Sequence, residues 1–109
     1  MIRMGWVIHL RPEKKDEYLT LHADVWPGVL DKIKECNIRN YTIFLREPEN
    51  LMFGAFEYHG SSFEDDMARM AADPITQDWW ALTDPCQLPL CTAEPTEQWA
   101  PMREVFHCD

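Results

Sequence analysis

Residues 38–58 read IRNYTIFLREPENLMFGAFEY, two runs rich in β-branched and aromatic residues on either side of Glu47-Pro48-Glu49-Asn50. Such runs, punctuated by a short Pro- and Asn-containing break, are expected to form a β-hairpin with strands over 38–45 and 51–58. What flanks this hairpin decides the architecture. On its N-terminal side, Arg11-Pro12-Glu13 opens a helical stretch, with Pro near the first turn and Glu13, Asp16 and Glu17 near the positive end of the helix dipole. That helix is expected to run to about Glu35, with a kink or break near Trp26, because Pro27 removes a backbone donor and clashes with the preceding turn. On the C-terminal side, Ser61 and Ser62 stand three residues before Glu64 and Asp65, a capping pattern for a helix over Phe63 to Ala72. Asp73-Pro74 then punctuates the chain, and Asp73 can cap a shorter helix carrying Trp79, Trp80 and Leu82.

At the outer ends, residues 2–10 alternate with a period of two, Ile2, Met4, Trp6, Ile8 and Leu10 on one face and Arg3, Gly5, Val7 and His9 on the other. This is a strand. Residues 83–101 hold four prolines and no period, a long loop suited to form a wall or lid, and Met102 to Cys108 is expected to add a last short strand. The order strand, helix, strand, strand, helix, strand is the split-βαβ, or ferredoxin-like, plan: an α+β fold with an antiparallel sheet and helices on one face. A chain of 109 residues is expected to make a single domain over 1–109. Its helix-free sheet face needs a cover, which a second copy of the chain would supply.

Composition narrows the partners. The net charge of −9 and a pI near 4.7 repel phosphate backbones and anionic lipid, so neither nucleic acid nor membrane is an expected partner. The ten Lys and Arg residues are scattered, which favours a neutral ligand over a phosphorylated or carboxylated one. The N-terminus lacks the basic segment, apolar run and cleavage site of a signal peptide, and no stretch approaches the ~20 apolar residues of a membrane span, so a cytoplasmic location is expected. In that setting Cys36, Cys86, Cys91 and Cys108 are expected to be reduced thiols. Their spacing lacks the close pairs of a zinc knuckle, and no metal is expected.

Tyr18, His22 and Trp26 recur at four-residue steps before Pro27, with Trp79-Trp80 further on. On a helix the first three would share one face. Tyr and Trp rings pack on the C–H face of a pyranose, and a His imidazole moves protons near neutral pH, so these residues suit a small sugar site. The structural alternative is that Tyr18, Trp26, Leu21 and Val25 are core, with His22 hydrogen-bonded at its edge. Adjacent helical residues diverge by ~100°, so Trp79 and Trp80 must serve different walls, or one of them is structural.

Several stretches, in order along nearly the whole chain, sharpen this reading: YLTLHADVWP (18–27), NYTI (40–43), NLMF (50–53), Glu57, Trp79-Trp80 and EVF (104–106). This set resembles the L-rhamnose mutarotase family. The resemblance implies a dimeric α+β barrel, a homodimer, a small neutral monosaccharide as substrate, and interconversion of its α and β anomers by ring opening and closing. It implies His22 as the proton donor, with Tyr18, Tyr41, Trp79 and Trp80 contacting the sugar. The reaction requires no redox change or covalent carrier, so no cofactor is implied. Glu104, Glu57 and Asp84 are candidates for a second proton-transfer group. L-fucose or another 6-deoxyhexose is an alternative substrate. Other readings are a cofactorless monooxygenase of the same barrel class and a small-ligand or haem carrier with His22 as axial ligand.

Overall fold

The computed structural model describes residues 1–109. The hairpin is present as β2 (Ile38–Arg46) and β3 (Leu51–Tyr58), and β1 (Ile2–Leu10) lies antiparallel to β3 along its whole length. The strand order is β2-β3-β1-β4, the split-βαβ arrangement. Beyond β1 the edge is made by two pieces. A two-residue β4 (Gln87–Leu88) pairs with His9 and Leu10, and β5 (Ala100–Met102) pairs with Gly5 to Val7. The last strand therefore ends where it was expected to begin, and residues 103–109 continue without regular structure. Pairing with β1 requires Ala100 to Met102 to lie alongside Gly5 to Val7, which sets the edge strand by tertiary contact and leaves the EVF segment outside the sheet.

The long N-terminal helix is divided. After a 3₁₀ turn at Pro12–Lys14, α1 spans Lys15–Ala23 and α2 spans Pro27–Glu35. Pro27 occupies the first turn of α2, where its missing N–H costs nothing, while Trp26 before it is extended at φ −58° and ψ 134°. Trp26 thus stands outside α1 and does not share a helical face with Tyr18 and His22. The C-terminal pair is α3 (Phe63–Ala72) and α4 (Pro74–Thr83). Ser62 Oγ accepts from the Asp65 N–H at 3.3 Å, and Asp73 Oδ2 accepts from the Thr76 N–H at 2.9 Å, satisfying donors that each helix start would otherwise leave open.

A β-bulge in β2 controls what the sheet presents to the helices. Arg39 pairs with Glu57 and Thr42 with Ala55, so Asn40 and Tyr41 together oppose Phe56. Asn40 takes the left-handed conformation at φ 53°, which Asn tolerates better than most residues. The extra residue reverses the alternation. Ile38 faces the helices before the bulge; Tyr41, Ile43 and Leu45 do so after it.

The core divides into two clusters. One is Ile8, Leu10, Tyr18, Met52 and Cys86; the other is Cys36, Ile38, Phe56, Tyr58 and Met70. The second is tied down by Asp66, which accepts hydrogen bonds from Tyr58 Oη at 2.5 Å, Asn37 Nδ2 at 2.9 Å and an Arg69 guanidinium nitrogen at 2.6 Å.

Candidate active site

A cavity of about 920 Å³ lies between the sheet and the helices. Tyr18, His22, Tyr41, Trp79 and Trp80 all line it, as do Asn40 and Gln87. Tyr18 and His22 are one turn apart on α1, their rings stacked at 4.2 Å and 25°. His22 Nδ1 lies 3.0 Å from the Tyr18 carbonyl oxygen. With Nδ1–H donating there, the neutral ring keeps its Nε2 lone pair uncommitted. Burial holds the His22 pKa below its usual 6.5, opposed in part by the hydrogen bond to the Tyr18 backbone. The imidazole is therefore neutral at pH 7.

Tyr18 is 3% exposed, and burial pushes its hydroxyl up to about 12. Its oxygen accepts from Gln87 Nε2 at 3.3 Å, Gln87 Oε1 accepts from Gln98 Nε2 at 3.2 Å, and Gln98 Nε2 also reaches the Asp84 carbonyl at 3.4 Å. This chain leaves the Tyr18 hydroxyl hydrogen free to donate to a ligand oxygen. Asp84 itself lines the cavity, and burial raises its carboxyl above the usual range.

The two tryptophans serve different walls. Trp79, 5% exposed, meets His22 edge-on at 5.3 Å and Trp26 at 5.2 Å. Trp80 packs on the Cys36–Ile38–Phe56 cluster. Trp26 does not line the cavity; it backs Trp79. Tyr41 packs edge-on against Phe56 at 5.3 Å. Across the floor, a Cβ on Gly54 would come within 3.4 Å of Trp99 and 3.8 Å of Tyr41, so both rings close down over a strand position with no side chain.

Of Glu104, Glu57 and Asp84, only Asp84 lines the cavity. Glu57 hydrogen-bonds His59 at 2.9 Å, and Glu104 lines a separate shallow depression with Arg3 and Met102. Gln98 and Trp99 also line the cavity, from the loop expected to form a wall. Their signal is a polar-aromatic pair where that loop enters β5.

Fold and cavity together define a chain of the α+β barrel type with an aromatic-walled cavity into which one imidazole, that of His22, is set. A profile of the L-rhamnose mutarotase family matches residues 3–108. The chain belongs to that family. It is 32% identical over 109 residues to the L-rhamnose mutarotase of Oceanobacillus iheyensis, covering 100% of both chains. The L-rhamnose mutarotase of Sinorhizobium fredii is 30% identical, with 98% of each chain covered. Among solved structures, the L-rhamnose mutarotase of Formosa agariphila superposes with a TM-score of 0.77 at 22% identity, covering 100% of both chains. A type-II polyketide cyclase, the tetracenomycin F2 cyclase of Streptomyces glaucescens, gives 0.69 at 13% identity, again over 100% of both chains. These two likenesses speak to the fold.

Proposed function

We propose that this chain interconverts the α and β anomers of L-rhamnose, with His22 as the proton-transfer residue and Tyr18, Tyr41, Trp79 and Trp80 as the sugar-contacting set. The observation that carries the reading is the tethered imidazole, with Nδ1 engaged by the Tyr18 carbonyl and Nε2 left for substrate in an aromatic cavity. Family membership supports the substrate.

The two oxygens exchanged in mutarotation are both bonded to C1, so a single nitrogen can serve them in turn. His22 Nε2 takes the proton of the anomeric hydroxyl, and the C1–O5 bond breaks as the C1–O1 bond becomes a carbonyl. The imidazolium then donates that proton to O5. Rotation about C1–C2 presents the other carbonyl face, and closure by the same steps in reverse regenerates neutral His22. No atoms or electrons are gained or lost. The reaction proceeds unaided in water, and one placed acid–base group typically adds ~10²–10⁴-fold. The Tyr18 hydroxyl donates to a sugar oxygen, and the tryptophan walls pack on the ring.

We further propose that the chain acts as one cytoplasmic domain and a homodimer joined through the helix-free sheet face. Val7, Phe53 and Phe44 align across three strands there, Phe44 is 64% exposed, and Val105 and Phe106 on the C-terminal arm are each 81% exposed. Such apolar surface is what a second copy would cover. Sedimentation should give twice the chain mass for the wild type and a smaller species for Phe44→Lys; an unaltered wild-type monomer contradicts the assembly. For the activity, the optical rotation of freshly dissolved crystalline α-L-rhamnose should relax faster with protein than without. L-fucose run in parallel tests the sugar, and equal acceleration of both sugars would remove the assignment to L-rhamnose.

A further inference from the structure

The cavity is larger than one pyranose requires, and its two ends differ in chemistry. Its volume is about 920 Å³. A hexose ring takes the place of roughly seven waters, or ~200 Å³ at ~30 Å³ each. The polar groups suited to a sugar collect beside the cluster that contains Tyr18: His22, Asp84, Gln87 and Gln98. The far end is walled by Ile33, Ile38, Phe56, Phe63, Met67 and Met70, all belonging to or packed on the other core cluster. Tyr41, packed on Phe56, and Trp80, packed on the same cluster and next in sequence to Trp79, stand between them.

Two cationic residues also line that far end, Lys34 and Arg39. The Arg39 guanidinium donates at 2.9 Å to the Lys34 and Ile38 carbonyls, so it is held on the backbone at the close of α2. The six apolar side chains offer water no partners. Protein interiors elsewhere close such space by packing, and an apolar space that remains favours an apolar guest.

We propose that this far end is a second subsite, and that the protein acts on reducing 6-deoxyhexoses bearing a short apolar O-alkyl or O-acyl substituent remote from the anomeric carbon. This rests on the mutarotase reading above. Ring opening needs a free anomeric hydroxyl, so the substituent cannot be a glycosidic aglycone. With C1 at His22, C4 is the ring carbon farthest from the imidazole, and a chain on O4 extends away from the polar end toward Ile38 and Met67.

The test compares exchange NMR on L-rhamnose and on 4-O-butyl-L-rhamnose, using wild type and Met67→Phe, with Ile33→Phe as a second filled variant. The wild type is expected to turn over the butylated sugar with at least about tenfold higher kcat/KM, the lower bound of what even one methylene gains in an apolar pocket. Either filled variant is expected to abolish that preference while still exchanging L-rhamnose, which reports on its folding. Exchange of L-rhamnose with equal or poorer turnover of the butylated sugar would overturn the second subsite and leave the mutarotase reading intact. A preference that survives in both filled variants would also overturn it. No exchange on either sugar would overturn both.

Discussion

His22 Nδ1 sits 3.0 Å from the carbonyl oxygen of Tyr18, one turn earlier on the same helix, and the two rings stack at 4.2 Å. A helical carbonyl four residues back is normally the acceptor for the backbone N–H; here, near the C-terminal end of α1, it also engages Nδ1 of the imidazole and leaves Nε2 as the free ring nitrogen at the cavity. Break of the helix at Pro27 is part of the arrangement, because it ends α1 just after His22 and frees Trp26 to back Trp79.

The pH dependence follows from the burial of His22. Its pKa lies below 6.5 because burial disfavours the imidazolium, and the mechanism uses the neutral ring. Exchange should therefore be flat above that value and fall as pH drops through the lowered pKa. The same shift affects stability with the same sign: the unfolded chain takes up the proton first, so the contribution is complete above 6.5 and is lost at lower pH. Rate measurements from pH 4 to 8, with stability followed separately, check both; an inflection at or above 6.5 would contradict a buried neutral base.

Trp26 tests the second layer of the site. It touches Trp79 at 5.2 Å and does not line the cavity. Trp26→Ala should cost ~2–3 kcal/mol, at or below the low end of Trp truncations because the residue is only half-buried. It should also slow exchange several-fold, since Trp79 and then His22 lose their backing. Kinetics well below the melting temperature separate these effects, and a lowered Tm with unchanged exchange would show that Trp79 does not rely on Trp26.

Asp66, hydrogen-bonded to Tyr58 of the second core cluster, is expected to contribute to acid stability. Hydrogen bonds from Tyr58, Asn37 and Arg69 hold its carboxyl well below the usual 3.8, at about 2. Its stabilising contribution is present above the ordinary carboxyl range and is lost as pH falls toward that lowered value. Asp66→Asn should lower Tm at neutral pH and flatten the decline between about pH 4 and pH 2. Thermal melts across that range decide it, and a variant with the wild-type acid slope would assign the decline to other carboxylates.

Much of this architecture is written in local chemistry. Period-two alternation marks β1, Pro27 marks the division between α1 and α2, and Ser62 and Asp73 mark the starts of α3 and α4. What escapes a linear reading depends on contacts distant in sequence. The bulge at Asn40 is set by pairing with β3, and without it Tyr41 would face away from the helices. The edge beside β1 is built from Gln87–Leu88 and Ala100–Met102, positions chosen by how the intervening loop packs. Tyr18 and His22 are recognisable by helical spacing. Gln98 and Trp99 reach the cavity only because that loop returns to the sheet, although Gly54 in mid-strand signals a close approach from above.

In the proposed mechanism one imidazole, that of His22, carries the proton in anomer exchange. Saturation transfer between the α and β anomeric protons of L-rhamnose, measured with wild type and with folded His22→Gln, tests it most directly. Clear transfer is expected with the wild type and a rate at least ~10²-fold lower with the variant, the usual span for loss of a general acid–base group. Undiminished transfer with His22→Gln would contradict it.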